Sequence, residues 1–322
     1  MSDLSVIHLS NALMLARFHE SAGPCIGAKL PKLCARLALY FLACFTACLP
    51  VAAAGMQSNW IGDPSIGEAR LISAVTARGD LDHLPLGLEF RLAPKWKIYW
   101  RTPGEAGLPP RIDLLVDGDP VESQIKWPVP KRFNAFGFDN YGYDNTVILP
   151  LDVSGFTAGT TLQLTGQVEA LACAEICVPL GGTVKMTMPA GPALASADAR
   201  AMAQAAALVP RQGGNASLVP DHLWQVADRL YMRFAAPVPV DDIFIEGIDG
   251  VAFKRPQLDG GDTVIAIEAT SLPDLTGRDI TATIVAGNEF IEQRLKVSAA
   301  GLKPAAAARR SATACAGRAM LA

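Results

Sequence analysis

Few residues in this sequence are of the kind that usually announce chemistry. Of seven cysteines, Cys25, Cys34, Cys44 and Cys48 lie in or before an N-terminal apolar segment, and Cys315 lies in the tail. The long middle of the chain keeps only Cys173 and Cys177, an even number that permits one bridge. Histidine is as scarce: past the N-terminal segment there are only His83 and His222, both far from the cysteine pair in sequence. A zinc site would need more soft ligands than that, so no metal and no cofactor are expected. Net charge is −3 with the two signs well mixed. Without a basic stripe, no nucleic-acid partner is expected. No arrangement of Ser, His and Asp or of paired carboxylates argues for hydrolytic chemistry. After the N-terminal segment, no apolar run approaches the length of a membrane-spanning helix.

What is present begins with an export signal. Lys29, Lys32 and Arg36 precede an apolar run from Leu37 to Leu49, and Ala52, Ala53 and Ala54 offer a small-residue cleavage site before Gly55. The run is roughly 13 residues, short of the ~20 that span a bilayer. Residues 1–54 are therefore expected to be a cleaved leader, with an uncleaved anchor as the alternative. An exported chain is one in which disulfides persist.

The body of the chain is rich in breakers, with 28 Gly and 23 Pro. Between them, short strand patterns recur: Leu71–Arg78, Leu86–Leu92, Trp96–Arg101, Arg111–Val116, Ser123–Trp127, Thr146–Val153, Thr161–Leu171 and Thr183–Met188. That spacing predicts an all-β sandwich over 60–190. In Trp96–Arg101, aromatic and basic residues alternate, as expected of one strand with a core face and a partly exposed face. Arg101 and Glu105 are placed to pair at the surface, with little energetic effect. The segment Lys131–Asn145 carries five aromatics among Gly, Asn and Asp and reads as a long functional loop. The Ala-rich stretch Ala193–Leu208 reads as a helix and, with the Gly/Pro segment after it, makes a connector over 191–220. Strand patterns resume over 221–298, which is about the size of a smaller sandwich. Residues 299–322 read as a disordered tail.

The cysteine pair stands in "ALACAEICVPL", with three residues between the two. In extended chain they would be roughly 13 Å apart at ~3.3 Å per residue. A disulfide needs Cα atoms within ~7 Å. The chain must therefore reverse or coil at Ala174–Ile176; a hairpin with a three-residue loop would set Cys173 opposite Cys177. A ring of about five residues stabilises a fold by only ~2 kcal/mol in the chain-entropy picture. A domain of this size buries enough core not to need such help. Spacing alone leaves a structural bridge, a redox dithiol and a metal-binding pair open.

The motifs "WKIYWRTPGEAGLPP", "KWPVPKRF", "GYDNTVILPL" and "LACAEICVPL" occur in this order over about 66–189. As a set they resemble the N-terminal periplasmic domain of the DsbD/ScsB family of thiol:disulfide interchange proteins. The resemblance implies an immunoglobulin-like fold with Cys173 and Cys177 as the redox pair, either of which could attack. It implies that a loop carrying Phe136, Phe138 and Tyr141 caps the pair. It implies a periplasmic protein-disulfide reductase taking electrons from a membrane donor of the DsbD/ScsB type and passing them to thioredoxin-fold proteins, of the disulfide isomerase or cytochrome c maturation kind. The three-residue spacing fits the ScsB-like branch, and 221–298 is similar to the further sandwich of such members. The family's membrane domain has no counterpart here, so a truncated transmembrane reductase is one alternative. The other is a non-enzymatic binding or chaperone-like sandwich with a structural bridge. The expected architecture is two immunoglobulin-like β-sandwich domains joined by a short helix and linker.

Overall fold

A computed structural model describes residues 55–135, 137–156 and 161–299. The expected leader and nearly all of the expected tail lie outside the described residues. Twelve strands come first: β1 (Ile61–Asp63), β2 (Gly67–Ser73), β3 (Leu84–Leu92), β4 (Lys97–Gly104), β5 (Arg111–Val116), β6 (Asp119–Pro120), β7 (Glu122–Ile125), β8 (Lys131–Ala135), β9 (Phe138–Asp144), β10 (Thr146–Ser154), β11 (Leu162–Cys173) and β12 (Cys177–Met188). They form a five-stranded sheet in the order β1-β2-β3-β10-β7. A seven-stranded sheet runs β6-β5-β11-β4-β9-β8, with β12 on the other edge of β11. Every pairing in these two sheets is antiparallel.

Period-two patterning makes the two sheets share one core. In β11, Leu162, Leu164, Val168 and Ala172 are buried in the apolar cluster, while Gln163, Gln167 and Glu169 are exposed. Leu86, Leu88, Phe90, Leu149 and Leu151 meet them from the five-stranded sheet. Each such side chain, fully buried, contributes about 1.5–3 kcal/mol. The two-residue Asp117-Gly118 loop, both at positive φ, closes the β5–β6 hairpin.

Helix α1 (Ala199–Ala207) lies against β10 and buries Met202 and Ala205. It is shorter than the expected Ala193–Leu208, although alanine favours helix throughout. The reason is competition for backbone groups. Leu194 accepts from the amide of Thr76 and Ser196 donates to Ala74, so this segment lies extended along 74–76. The same contact explains why β2 stops at Ser73 and not at Arg78.

Beyond the helix come β13 (Arg211–Gln212), β14 (Pro220–Val226), β15 (Arg229–Phe234), β16 (Asp242–Glu246), β17 (Ala252–Phe253), β18 (Gln257–Asp259), β19 (Asp262–Glu268), β20 (Asp279–Ala286) and β21 (Glu289–Lys296). One sheet has the order β13-β21-β20-β16, and the other runs β14-β15-β19-β17 with β18 on β19. They enclose a second apolar cluster built on Leu230, Met232, Ile243, Ile265, Ile280 and Ile284. Strand β13, inside the expected linker, is drawn into this sheet by parallel pairing with β21. Among the described residues the chain is thus all-β apart from one short α-helix, with immunoglobulin-like sandwich architecture.

Candidate functional site

The segment Lys131–Asn145 is a hairpin and not a long loop. Strands β8 and β9 pair from Lys131↔Gly142 to Ala135↔Phe138, and β9 pairs onward with β4. The aromatics that make the sequence look loop-like are partly core residues: Tyr141 and Tyr143 join the apolar cluster.

The cysteines lie at the tip of another hairpin. Strands β11 and β12 stay in register from Leu162↔Met188 to Cys173↔Cys177. The two sulfurs are bonded at 2.06 Å, with Cα atoms 4.1 Å apart. The reversal spans Ala174–Ile176, where the Ala174 amide donates to the Ile176 carbonyl at 2.9 Å. Alternation along β11 puts Ala172 into the core and Cys173 on the outer face. The two cysteines differ in exposure: Cys173 is 2 % exposed, whereas Cys177 is open to solvent. Ile176, between them, is 64 % exposed.

On the other side of Cys173 stands Lys97, its direct partner in β4, and Lys97 in turn is opposite Asp144 of β9. Two residues on, the Tyr99 ring meets Phe133 at 6.0 Å, and the Lys97 ammonium lies 5.3 Å from the Phe133 ring centre. Tyr99 is buried because the 105–110 loop crosses it. Gly107, at φ +116°, passes so close that a Cβ there would lie 2.4 Å from the ring. Lys97 and Phe133 are functional candidates that sequence reading misses. Alternation already puts Lys97 and Tyr99 on one face of β4, but only the register with β11 brings that face to the disulfide.

Of the expected cap, Phe136 lies outside the described residues. Phe138 is 46 % exposed and sits six positions before Asp144, about 20 Å along the strand at ~3.3 Å per residue. It lines a cleft of about 590 Å³ with Glu105, Ile248 and Val251. Tyr141 faces the core, packing edge-on against Trp100 and Phe244, and its hydroxyl donates to the Phe253 carbonyl at 3.0 Å. Burial pushes its phenol above the usual value, against the pull of Arg132. The structure therefore brings Cys173 and Cys177 together, and sets Phe138 and Tyr141 toward the later strands.

That junction is held by charge. Arg132 forks onto Asp242 at 2.9 Å, and its guanidinium also donates to the Phe253 and Ile243 carbonyls. Arg101 does not pair with Glu105: it bonds Glu246 at 2.6 Å and also Glu292, while Glu105 meets Lys254 at 3.5 Å. These partners lie more than a hundred residues away in sequence, which is why the local pairing expected for Arg101 loses. Among the described residues there is no cluster of three or more metal-ligating side chains, and no helix long and apolar enough to cross a membrane.

Fold and site together define an immunoglobulin-like β-sandwich bearing a cross-strand cystine with one open sulfur. Residues 68–189 match the family described as "Thiol:disulfide interchange protein DsbD, N-terminal". The chain is also similar to the N-terminal periplasmic domain of ScsB from Proteus mirabilis, whose crystal structure superposes with a TM-score of 0.60 at 21 % identity, over 76 % of this chain and 99 % of that one. At this identity the likeness speaks for the fold. No curated protein matches the chain.

Proposed function

We propose that the chain is a periplasmic protein-disulfide reductant, built as two sandwich domains, in which Cys173 and Cys177 relay electrons to thioredoxin-fold proteins. The observation that carries this is the unequal exposure of the pair on a segment that matches the thiol:disulfide interchange family. Exchange requires one sulfur that a partner can reach and a second held beside it. Cys177 fits the first role: its thiolate attacks the partner's disulfide, forming a mixed disulfide and expelling one partner thiolate. Cys173 fits the second: it attacks Cys177 Sγ, closes the intramolecular bond and releases the partner reduced. The reverse sequence reloads the pair from a membrane donor of the DsbD/ScsB type. Exposed Ile176 supplies an apolar contact beside the reacting sulfur. Periplasmic placement is supported by the leader pattern of residues 1–54 and by the compartment named for the Proteus mirabilis neighbour.

The test is direct. A Cys173→Ser chain should trap a mixed disulfide with a thioredoxin-fold partner through Cys177, seen by non-reducing electrophoresis and mass spectrometry. A wild-type midpoint far below about −300 mV against glutathione, with no exchange, would instead make the bridge a structural one.

A further inference from the structure

The row of residues crossing the sheet at the disulfide reads Cys177, Cys173, Lys97, Asp144. Directly opposed residues on antiparallel strands project to the same side, with Cβ atoms about 4.5–5.5 Å apart. Lys97 is thus the neighbour of Cys173 on the side away from Cys177. Its obvious counter-ion is already engaged: Asp144 binds Lys131 at 2.6 Å. Among the described residues Lys97 forms no ion pair. Its ammonium donates to the Lys95 carbonyl at 3.1 Å and rests over Phe133.

We propose that Lys97 is a positioning residue for thiol exchange, its ammonium stabilising the Cys173 thiolate that forms when the disulfide opens. This rests on the reading of Cys173 and Cys177 as a working dithiol. Burial disfavours a thiolate at Cys173, and a nearby cation offsets that. The other charges facing the pair are Glu175 in the turn, Glu169 back along β11 opposite Arg111, and the Asp144–Lys131 pair. The carboxylates oppose a thiolate, which leaves Lys97 as the nearest favourable charge by register.

The step concerned is the second half of exchange. Cys173 loses its proton to solvent, and its sulfur attacks Cys177 Sγ. The Cys173–Cys177 bond forms, the bond from Cys177 to the partner sulfur breaks, and the departing thiolate takes a proton from solvent. Cys173 and Cys177 are oxidised and the partner is reduced; Lys97 keeps its proton throughout.

The experiment uses the full reduced chain and dithiobis-nitrobenzoate in stoichiometric amount. With the other five cysteines replaced by Ser in every variant, two releases of coloured thiolate follow, the first from attack by one cysteine of the pair and the second from displacement by the other. The rate of the second phase is measured against pH. In Lys97→Met its midpoint should rise by about one pH unit, in Lys97→Glu further, and in Lys97→Arg hardly at all. Thermal unfolding of each oxidised variant checks the fold; should Lys97→Met not fold, Lys97→Gln makes the same removal of charge. Unchanged midpoints in the neutral and acidic variants would overturn the role of Lys97. A wild-type chain with no second phase would overturn the dithiol reading itself, so the two failures are distinct.

Discussion

The two ends of strand β4 stand in opposite circumstances. At Lys97 the strand borders a cystine with one sulfur open to solvent, an exposed isoleucine and an ammonium with no carboxylate among the described residues. At Arg101 and Thr102 the side chains are paired across the junction: Glu246 accepts from both, and Glu292 accepts from Arg101. Aromatic residues follow the same division. Trp100, Tyr141 and Phe244 interlock at the junction with ring centres 5.0–6.5 Å apart. The contrast teaches where cohesion and chemistry reside. Matched groups are costly to disturb and hold the later strands in place; on the proposed reading, the Lys97 ammonium, with no carboxylate partner among the described residues, would respond to charge on sulfur.

The largest effect expected on this contrast is the loss of exchange in Cys177→Ser, measured by trapping with a thioredoxin-fold partner. Its unfolding free energy should fall by no more than about 2 kcal/mol, because the ring closed is small. At the opposite end, Arg132→Met should leave exchange intact and cost about 3–5 kcal/mol in denaturant unfolding, because Asp242 is left buried and poorly paired. The side chains are 5 % and 10 % exposed, and Arg255 at 3.7 Å is the only other cation near that carboxylate among the described residues.

Alkaline pH should separate the ends by sign. Burial raises Tyr143 well above the ordinary tyrosine value, Arg101 opposing, and burial raises Tyr141 likewise. The folded chain keeps these phenols protonated while the unfolded chain ionises near pH ~10. Their stabilising contribution is complete below that value and is lost as pH rises from it through the folded-state values. Unfolding midpoints should drop over that range, whereas thiol exchange, driven by thiolate, should not slow. The smallest effect belongs to Lys254→Ala. It removes contacts to Asp139 and Glu268, both at 3.0 Å, and to Glu105 at 3.5 Å. Partial exposure limits this to about 1 kcal/mol or less, lessened further by salt.

Much of the first pair of sheets is legible in sequence. Leu162, Leu164, Val168 and Ala170 alternate onto one face, and a three-residue gap between cysteines is what a closed hairpin needs. What escapes reading is non-local. Residues 131–145 look like a loop because Gly, Asn and Asp punctuate them, yet pairing with β4 makes them strands. Arg101 finds its carboxylates across the junction, and nothing in "WRTPGEAG" points there. Lys97 becomes a neighbour of Cys173 only through a contact between strands distant in sequence. Tyr141 reads as part of a loop near the cysteines, but alternation along β9 turns it to the core.

Strands β11 and β12 remain hydrogen-bonded along their whole length, up to the pair of cysteines themselves. The covalent link therefore spans a gap that the backbone already closes. On the proposed relay reading, opening it would leave the ladder below in place, and the oxidised and reduced forms would share their backbone. A partner would then tell them apart at the sulfur atoms themselves, at the hairpin tip.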